Sequence, residues 1–156
     1  MKMRELKKWL FTLFSGRPHF VIGGNEAPYM LRWFLIPRNP LCNIYLHKFL
    51  RSDEDRALHD HPWHFLSLIL SGSYQEITEN FITLRQRFSI GFRHASHRHR
   101  VVLLDGANNS PLSVWTLVIT GPRIRDWGFW CPRGFVGWKE FTATSDRGSV
   151  GKGCDQ

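Results

Sequence analysis

The stretch "RALHDHPWHFLSLILSG" places His59, His61 and His64 close together, broken by Pro62 and Trp63 and followed by an apolar run. A neutral imidazole nitrogen is a ligand for Zn, Fe, Ni or Cu. Residues i and i+2 of a strand project from the same face. His59 and His61 at a strand start therefore make half of a metal site, with Asp60 pointing the other way and expected to orient an imidazole from outside the ligand set. The other half must come from elsewhere in the chain. "RHASHRHRVVLL" offers His94, His97 and His99 at the head of a later strand, with His97 and His99 on one face once that strand has begun.

An HxH pair alone is a weak signal, because most histidines are ordinary core or surface residues. The spacing adds to it. The pair, with Gly72 following at the expected distance and His99 on a later strand, resembles the two motifs of the cupin superfamily. His99 takes the place of the second motif's histidine, with Ala95 and Ser96 in the preceding turn and His94 where that motif has proline. The resemblance runs from "NIYLHKFL" to "VWTLVITG". It implies a double-stranded β-helix, the cupin jelly-roll barrel, and often a homodimer. The segments "LRSDEDRALHDHPWHFLSLILSG" and "GPRIRDWGFWCPRGFVGWKEF" also resemble small cupin-like proteins of bacteria and their phages.

One departure bears on the chemistry. The glutamate of the first cupin motif falls on Phe65, which parity turns inward with His61 and which cannot ligate. The resemblance then implies a three-histidine site, His59, His61 and His99, similar to that of the thiol dioxygenases, which hold Fe(II); Zn or Ni are the other candidates. His64 becomes a fourth ligand only if a bulge at Pro62 swings it inward, and is expected to stay outside. His97 is an additional candidate.

Positioning such a site takes a barrel. "YMLRWFLIP", "NIYLHKFLR", "HFLSLILSG", "SYQEITE", "FITLRQRFSIG", "HRVVLLD", "LSVWTLVITG" and "FVGWKEF" are short, rich in β-branched or aromatic residues, and bounded by Gly, Pro, Asn or Asp. Strands without intervening helices predict an antiparallel, all-β sandwich or barrel. "SLILSGSYQEI" and "LLDGANNSPLSVW" are expected as hairpins. Met3, Leu6, Trp9, Leu10, Leu13 and Phe14 share one helical face, and Gly16 and Pro18 end that helix. The expected organisation is a helix over residues 1–18 set against the barrel, the barrel over 19–142, and a flexible tail over 143–156.

Within the barrel, Arg32 sits among apolar neighbours, where its fork could clamp a carboxylate or phosphate if it does not reach out to the rim. Tyr45 and His47, with Phe49, lie on the following strand as pocket candidates. Asp53, Glu54 and Asp55 are expected in an exposed loop. The segment with Arg123, Arg125 and Arg133 among Trp127, Trp130 and Trp138 could close over the barrel mouth, with packing the safer role for its tryptophans.

The 156 residues fit one domain. No apolar run reaches membrane-spanning length. Cys42, Cys131 and Cys154 form no CxxC pair and no disulfide framework, which suits a reducing cytosol and a cytoplasmic location. The formal net charge of +8 attracts anions of many kinds. The expected function is a metal-binding cupin protein, foremost a metal-dependent enzyme such as a dioxygenase acting on a small anionic molecule. The alternative is a non-catalytic module that binds a small molecule. A nucleic-acid-binding protein ranks last, since no recognition motif accompanies the charge.

Overall fold

The fold was determined as a computed structural model that describes residues 2–24, 26–53, 57–107, 109–143 and 149–154. Helix α1 (Met3–Phe14) is followed by β1 (Phe20–Ile22), β2 (Met30–Phe34), β3 (Asn43–Phe49), β4 (Leu58–His59), β5 (Phe65–Ser71) and β6 (Tyr74–Ile77). Next come β7 (Ile82–Arg85), β8 (Ile90–Arg93), β9 (Arg100–Leu103), β10 (Val114–Thr120), β11 (Gly128–Cys131) and β12 (Gly134–Gly137). A single-turn helix, α2 (Trp138–Phe141), leads to β13 (Thr142–Ala143) and β14 (Ser149–Val150).

One sheet has the order β1-β2-β3-β10-β5-β8. The opposite wall is made of two three-stranded pieces, β7-β6-β9 and β12-β11-β4. An antiparallel bridge between His59 and His99 joins those pieces at their inner edges. All the paired strands run antiparallel, so alternate residues face inward. In β10 that rule places Val114, Thr116, Val118 and Thr120 inside, all buried. Three apolar clusters fill the barrel: Ile69 with Tyr74, Val101, Leu103 and Val114; Tyr45 with Phe65 and Val118; and Ala57 with Cys131 and Phe141.

Several sequence expectations change in detail. β5 and β6 are not hairpin partners: β5 pairs with β10 and β8, and β6 with β7 and β9. Between them Gly72 adopts φ +80°, and a Cβ there would lie 2.9 Å from the Ser113 carbonyl oxygen. The glycine thus lets the chain turn a corner from one wall to the other. Leu112 N–H does donate back to Leu104 O, but β9 and β10 enter different sheets. "FITLRQRFSIG" splits into β7 and β8, and "FVGWKEF" is half strand and half helix.

The cysteine reading is corrected most clearly. Cys131 and Cys154 form a disulfide, so cysteine usage no longer argues for a reducing compartment. That bond, with the pairing of β13 and β14, ties part of the expected flexible tail back to the barrel.

Candidate metal centre

The site is built by register. His59 and His99 exchange both backbone hydrogen bonds, His59 N–H to His99 O at 2.9 Å and the reverse at 3.0 Å. Directly opposed residues of an antiparallel pair present their side chains on the same face. Two residues on, His61 N–H donates to Ala95 O at 3.0 Å, which fixes the second arm. The imidazoles of His59, His61 and His99 therefore converge, each offering a nitrogen within 4.8 Å of the others. His61 Nε2 lies 2.9 Å from His99 Nε2. Phe65 is buried with its ring 4.7 Å from that of His61.

Burial keeps two of these donors, His61 and His99, neutral. Burial pushes His61 well below the usual histidine range, and the neighbouring His59 and His99 push it further. Burial also lowers His99, to about 4, against the opposing pull of Glu76. Two neutral imidazoles at neutral pH are what a cation requires of its ligands.

Glu76, on β6, is the residue that the sequence reading missed. Only 1% exposed, its Oε1 accepts a hydrogen bond from His99 Nδ1 at 2.9 Å. A carboxylate can only accept here, so Nδ1 carries the proton and Nε2 turns its lone pair toward the other two histidines. Arg93 grips Glu76 with both arms of its fork, at 2.5 and 2.6 Å, and Arg85 adds a third bond at 2.8 Å. Burial acts to raise the Glu76 carboxyl, but the hydrogen bonds from His97, His99 and Arg93 outweigh it and hold it far below the usual carboxylate range. Gly91 makes room for this clamp: a Cβ there would meet Arg93 Nη1 at 2.2 Å. The available signal was parity, since Glu76 shares a face with buried Tyr74 in β6, and an inward glutamate needs a cationic partner.

The other candidates sort by position. His64 accepts from Ala95 N–H through Nδ1 and stacks with Phe92, away from the triad. His97 Nε2 stands 3.4 Å from Glu76 Oε1, behind His99 instead of beside its free nitrogen. Asp60, 0% exposed, does not orient an imidazole as expected. It accepts from Arg125 Nη1, Gly128 N–H and Trp130 Nε1 and so staples the segment before and within β11. Asp53 is not loop-exposed either: it turns inward, accepts from Val101 N–H, and lies 3.6 Å from His59 Nδ1. Glu54 and Asp55 lie outside the described residues.

The triad opens into a cavity of about 190 Å³. Met30, Phe49, Trp63, Phe65, Val118 and Phe129 give it apolar walls. Arg32, Tyr45 and His47 line the same cavity, so the arginine does not reach out to the rim. Arg32 Nε donates to His47 Nε2 at 2.8 Å, and its guanidinium lies over the Tyr45 ring. Burial lowers Arg32 to about 10, and burial together with Arg32 keeps His47 neutral. Among the described residues no carboxylate lies in ion-pair reach of Arg32. The hydroxyls of Thr116 and Thr120, both buried on this cavity, also lack a hydrogen-bond partner among the described residues.

A three-nitrogen donor set without thiolate suits first-row dications such as Fe, Zn or Ni. The buried carboxylate behind His99 supplies the outer support that metal-bound histidines take. The residues present therefore fit a metal, with His59, His61 and His99 as the set that could hold it.

No family model matches the sequence, and no curated protein matches it. Among solved structures, a candidate mannose-6-phosphate isomerase from Ralstonia eutropha JMP134 is similar, at 19% identity and TM-score 0.52, over 67% of this chain and 92% of that one. A Klebsiella pneumoniae protein with a double-stranded β-helix domain is similar at 14% identity and TM-score 0.51, over 70% and 90%. A cupin superfamily protein from Desulfitobacterium hafniense aligns at 15% identity and TM-score 0.47, over 60% and 77%. The chain has a double-stranded β-helix fold, with a histidine cluster that could bind a metal.

Proposed function

We propose that this protein is a metal-dependent cupin enzyme that acts on a small anionic molecule, with a dioxygenase as the leading reaction class. The observation that carries the reading is the convergence of three imidazoles, two of them held neutral, at the wall of an apolar cavity. His59, His61 and His99 would hold the ion, with Fe(II) first and Zn or Ni as the alternatives. Iron bound by three histidines supplies redox chemistry with O₂ when positions remain open to substrate.

The chain's own residues then do the rest. Glu76 holds His99 in the tautomer that presents Nε2. Arg32 offers an unneutralised cation inside the cavity, which supports an anionic substrate, because a carboxylate or phosphate can take both arms of its fork. Thr116 and Thr120 offer hydroxyls to the polar part of that molecule. The aromatic and aliphatic walls exclude water and seat the apolar part. The cavity volume limits the substrate to a compact one.

The second reading is a binding module that holds the same anion without turning it over. It is favoured by the engagement of both inward carboxylates, Glu76 by Arg93 and Asp53 by Val101 N–H, which leaves neither as a ready base.

Metal analysis separates these readings. Protein purified without a tag or added metal should carry close to one iron per chain, lost in His59→Ala and His99→Ala. Oxygen consumption should then appear with small thiols or aromatic acids and fall in Arg32→Met. Zinc or nickel lost from the same variants would move the reaction to Lewis-acid chemistry. Equally folded proteins that bind none of the three metals would sink the enzyme reading.

A further inference from the structure

The helix that precedes the barrel is amphipathic, yet none of its residues is buried. Its contact with the barrel runs along one strip. Trp9 Nε1 donates to Phe34 O at 2.8 Å, the Trp9 ring stacks on His19, and Leu6 and Leu13 are half-buried on the same side. At the helix end, Trp33 Nε1 donates to Gly16 O. The remaining apolar residues face solvent: Phe14 is 83% exposed, Phe11 75%, Met3 69%, and Leu10 36%. Met3, Leu10 and Phe14 fall on one line of the helix, with Lys7 among them and Phe11 beside it. Lys2, Arg4, Lys7, Lys8 and Arg17 stand on or next to α1, against the single acid Glu5.

We infer that α1 docks this protein onto an anionic lipid surface, with Met3, Leu10, Phe11 and Phe14 entering the interface and the flanking cations meeting the headgroups. A helix with an apolar strip and a basic remainder lies in the plane of such an interface. Three observations favour lipid over other occupants. The excess of cations complements anionic headgroups and opposes self-association, because a second copy would bring its own excess of cations against the first. The barrel already occupies one side of the helix, so the open side is broad and suits a planar surface better than a groove that must wrap a helix. Lys7, in the middle of the apolar strip, has a stem long enough to lie along that strip while its ammonium reaches the headgroups.

The test is co-sedimentation of the full chain with vesicles of phosphatidylcholine alone and with 30% phosphatidylserine added. Binding is expected to the anionic vesicles only, and it should weaken steeply between low and physiological salt. Phe11→Ser/Phe14→Ser should reduce binding at least ten-fold. Lys7→Glu and Lys8→Glu should each reduce it about five-fold or more, since a basic residue near an anionic surface contributes on that scale. All four positions are exposed, and an unchanged melting curve verifies that the variants fold.

Three results would overturn the inference. One is the absence of binding at low salt. Another is equal binding to neutral vesicles or by the Phe11→Ser/Phe14→Ser variant. The third is a concentration-dependent dimer, seen by sedimentation velocity, that this variant abolishes, since that would make a second copy the occupant.

Discussion

Glu76 on β6 accepts the Nδ1 proton of His99 at 2.9 Å, and Arg93 on β8 clamps the same carboxylate from behind at 2.5 and 2.6 Å. The candidate ligand set, His59, His61 and His99, contains no carboxylate and so no anion. A carboxylate stands instead one imidazole farther out, where it can offset part of a dication's charge through the His99 ring.

Removing that charge should be felt in metal affinity before it is felt in fold. Glu76→Gln keeps an oxygen that can accept from His99 but loses the anion. It is expected to weaken Zn²⁺ or Co²⁺ binding about 10- to 100-fold, as loss of an outer partner does. Glu76→Ala also leaves Arg93 buried without its partner, and should destabilise the protein by about 3–5 kcal/mol. Chelator competition measures the first effect and urea unfolding the second. Equal metal affinity in wild type and Glu76→Gln would remove Glu76 from the site.

His64 and His97 are the controls for the ligand set. His64 Nδ1 is already used by Ala95 N–H, and His97 Nε2 faces the Glu76 oxygen that accepts from His99 instead of the His99 Nε2 that joins the triad. His64→Ala should therefore bind metal as tightly as wild type, and His97→Ala should lose no more than Glu76→Gln. His59→Ala, His61→Ala and His99→Ala should each abolish stoichiometric binding. A full loss in His64→Ala would require the Pro62 bulge that turns His64 inward.

The pH dependence of the metal-free protein follows from the buried imidazoles. His99 is lowered from about 6.5 to about 4, mainly by burial, and His61 is lowered in the same direction. In the unfolded chain both titrate near 6.5. Between those limits the unfolded chain binds more protons than the folded one, so stability falls as pH falls. The loss should start below pH 6.5 and be largely complete for His99 near pH 4. Glu76 adds to it only below about 4.5, because its folded value is also depressed. Urea midpoints at pH 7 and pH 5 should thus differ, and His99→Gln should narrow the difference. A midpoint that is flat over this range would show that these imidazoles are not held neutral by burial.

The strands and the His59/His61 pair could be read from local pattern because period-two alternation acts through neighbours in sequence, whereas His99 joined them only through the motif resemblance. Phe65 inward and His59 and His61 together follow from parity, whereas Arg32, for which the rim was the favoured place, lines the cavity. What parity cannot supply is the partner of an inward polar residue, which depends on register across the sheet. Glu76 meets His99 because β6 pairs with β9 in the register Glu76 to Val101. Asp60 was expected to serve an imidazole, but it faces away from them and meets Arg125, 65 residues distant. The Cys131–Cys154 bond was missed for the same reason, since nothing near either cysteine points to the other.

Asp60 is the residue through which the histidine pair and the C-terminal segment support one another. One oxygen accepts from Arg125 Nη1 at 2.6 Å and Trp130 Nε1 at 3.1 Å, and the other from Gly128 N–H at 2.9 Å. Asn at this position has one accepting oxygen and an NH₂ group that would face a donor. Asp60→Asn is therefore expected to cost about 3–5 kcal/mol, the scale for breaking a buried ion pair. The loss should concentrate in residues 121–143, which bring Trp127, Phe129, Phe141 and Thr142 to the cavity. Hydrogen exchange by mass spectrometry should show faster exchange there and unchanged protection in β3, β5 and β10. Because Asp60 touches none of the three imidazoles, metal affinity should fall less than in Glu76→Gln. A uniform rise in exchange across both walls would instead make Asp60 part of the global core, with no particular hold on the C-terminal segment.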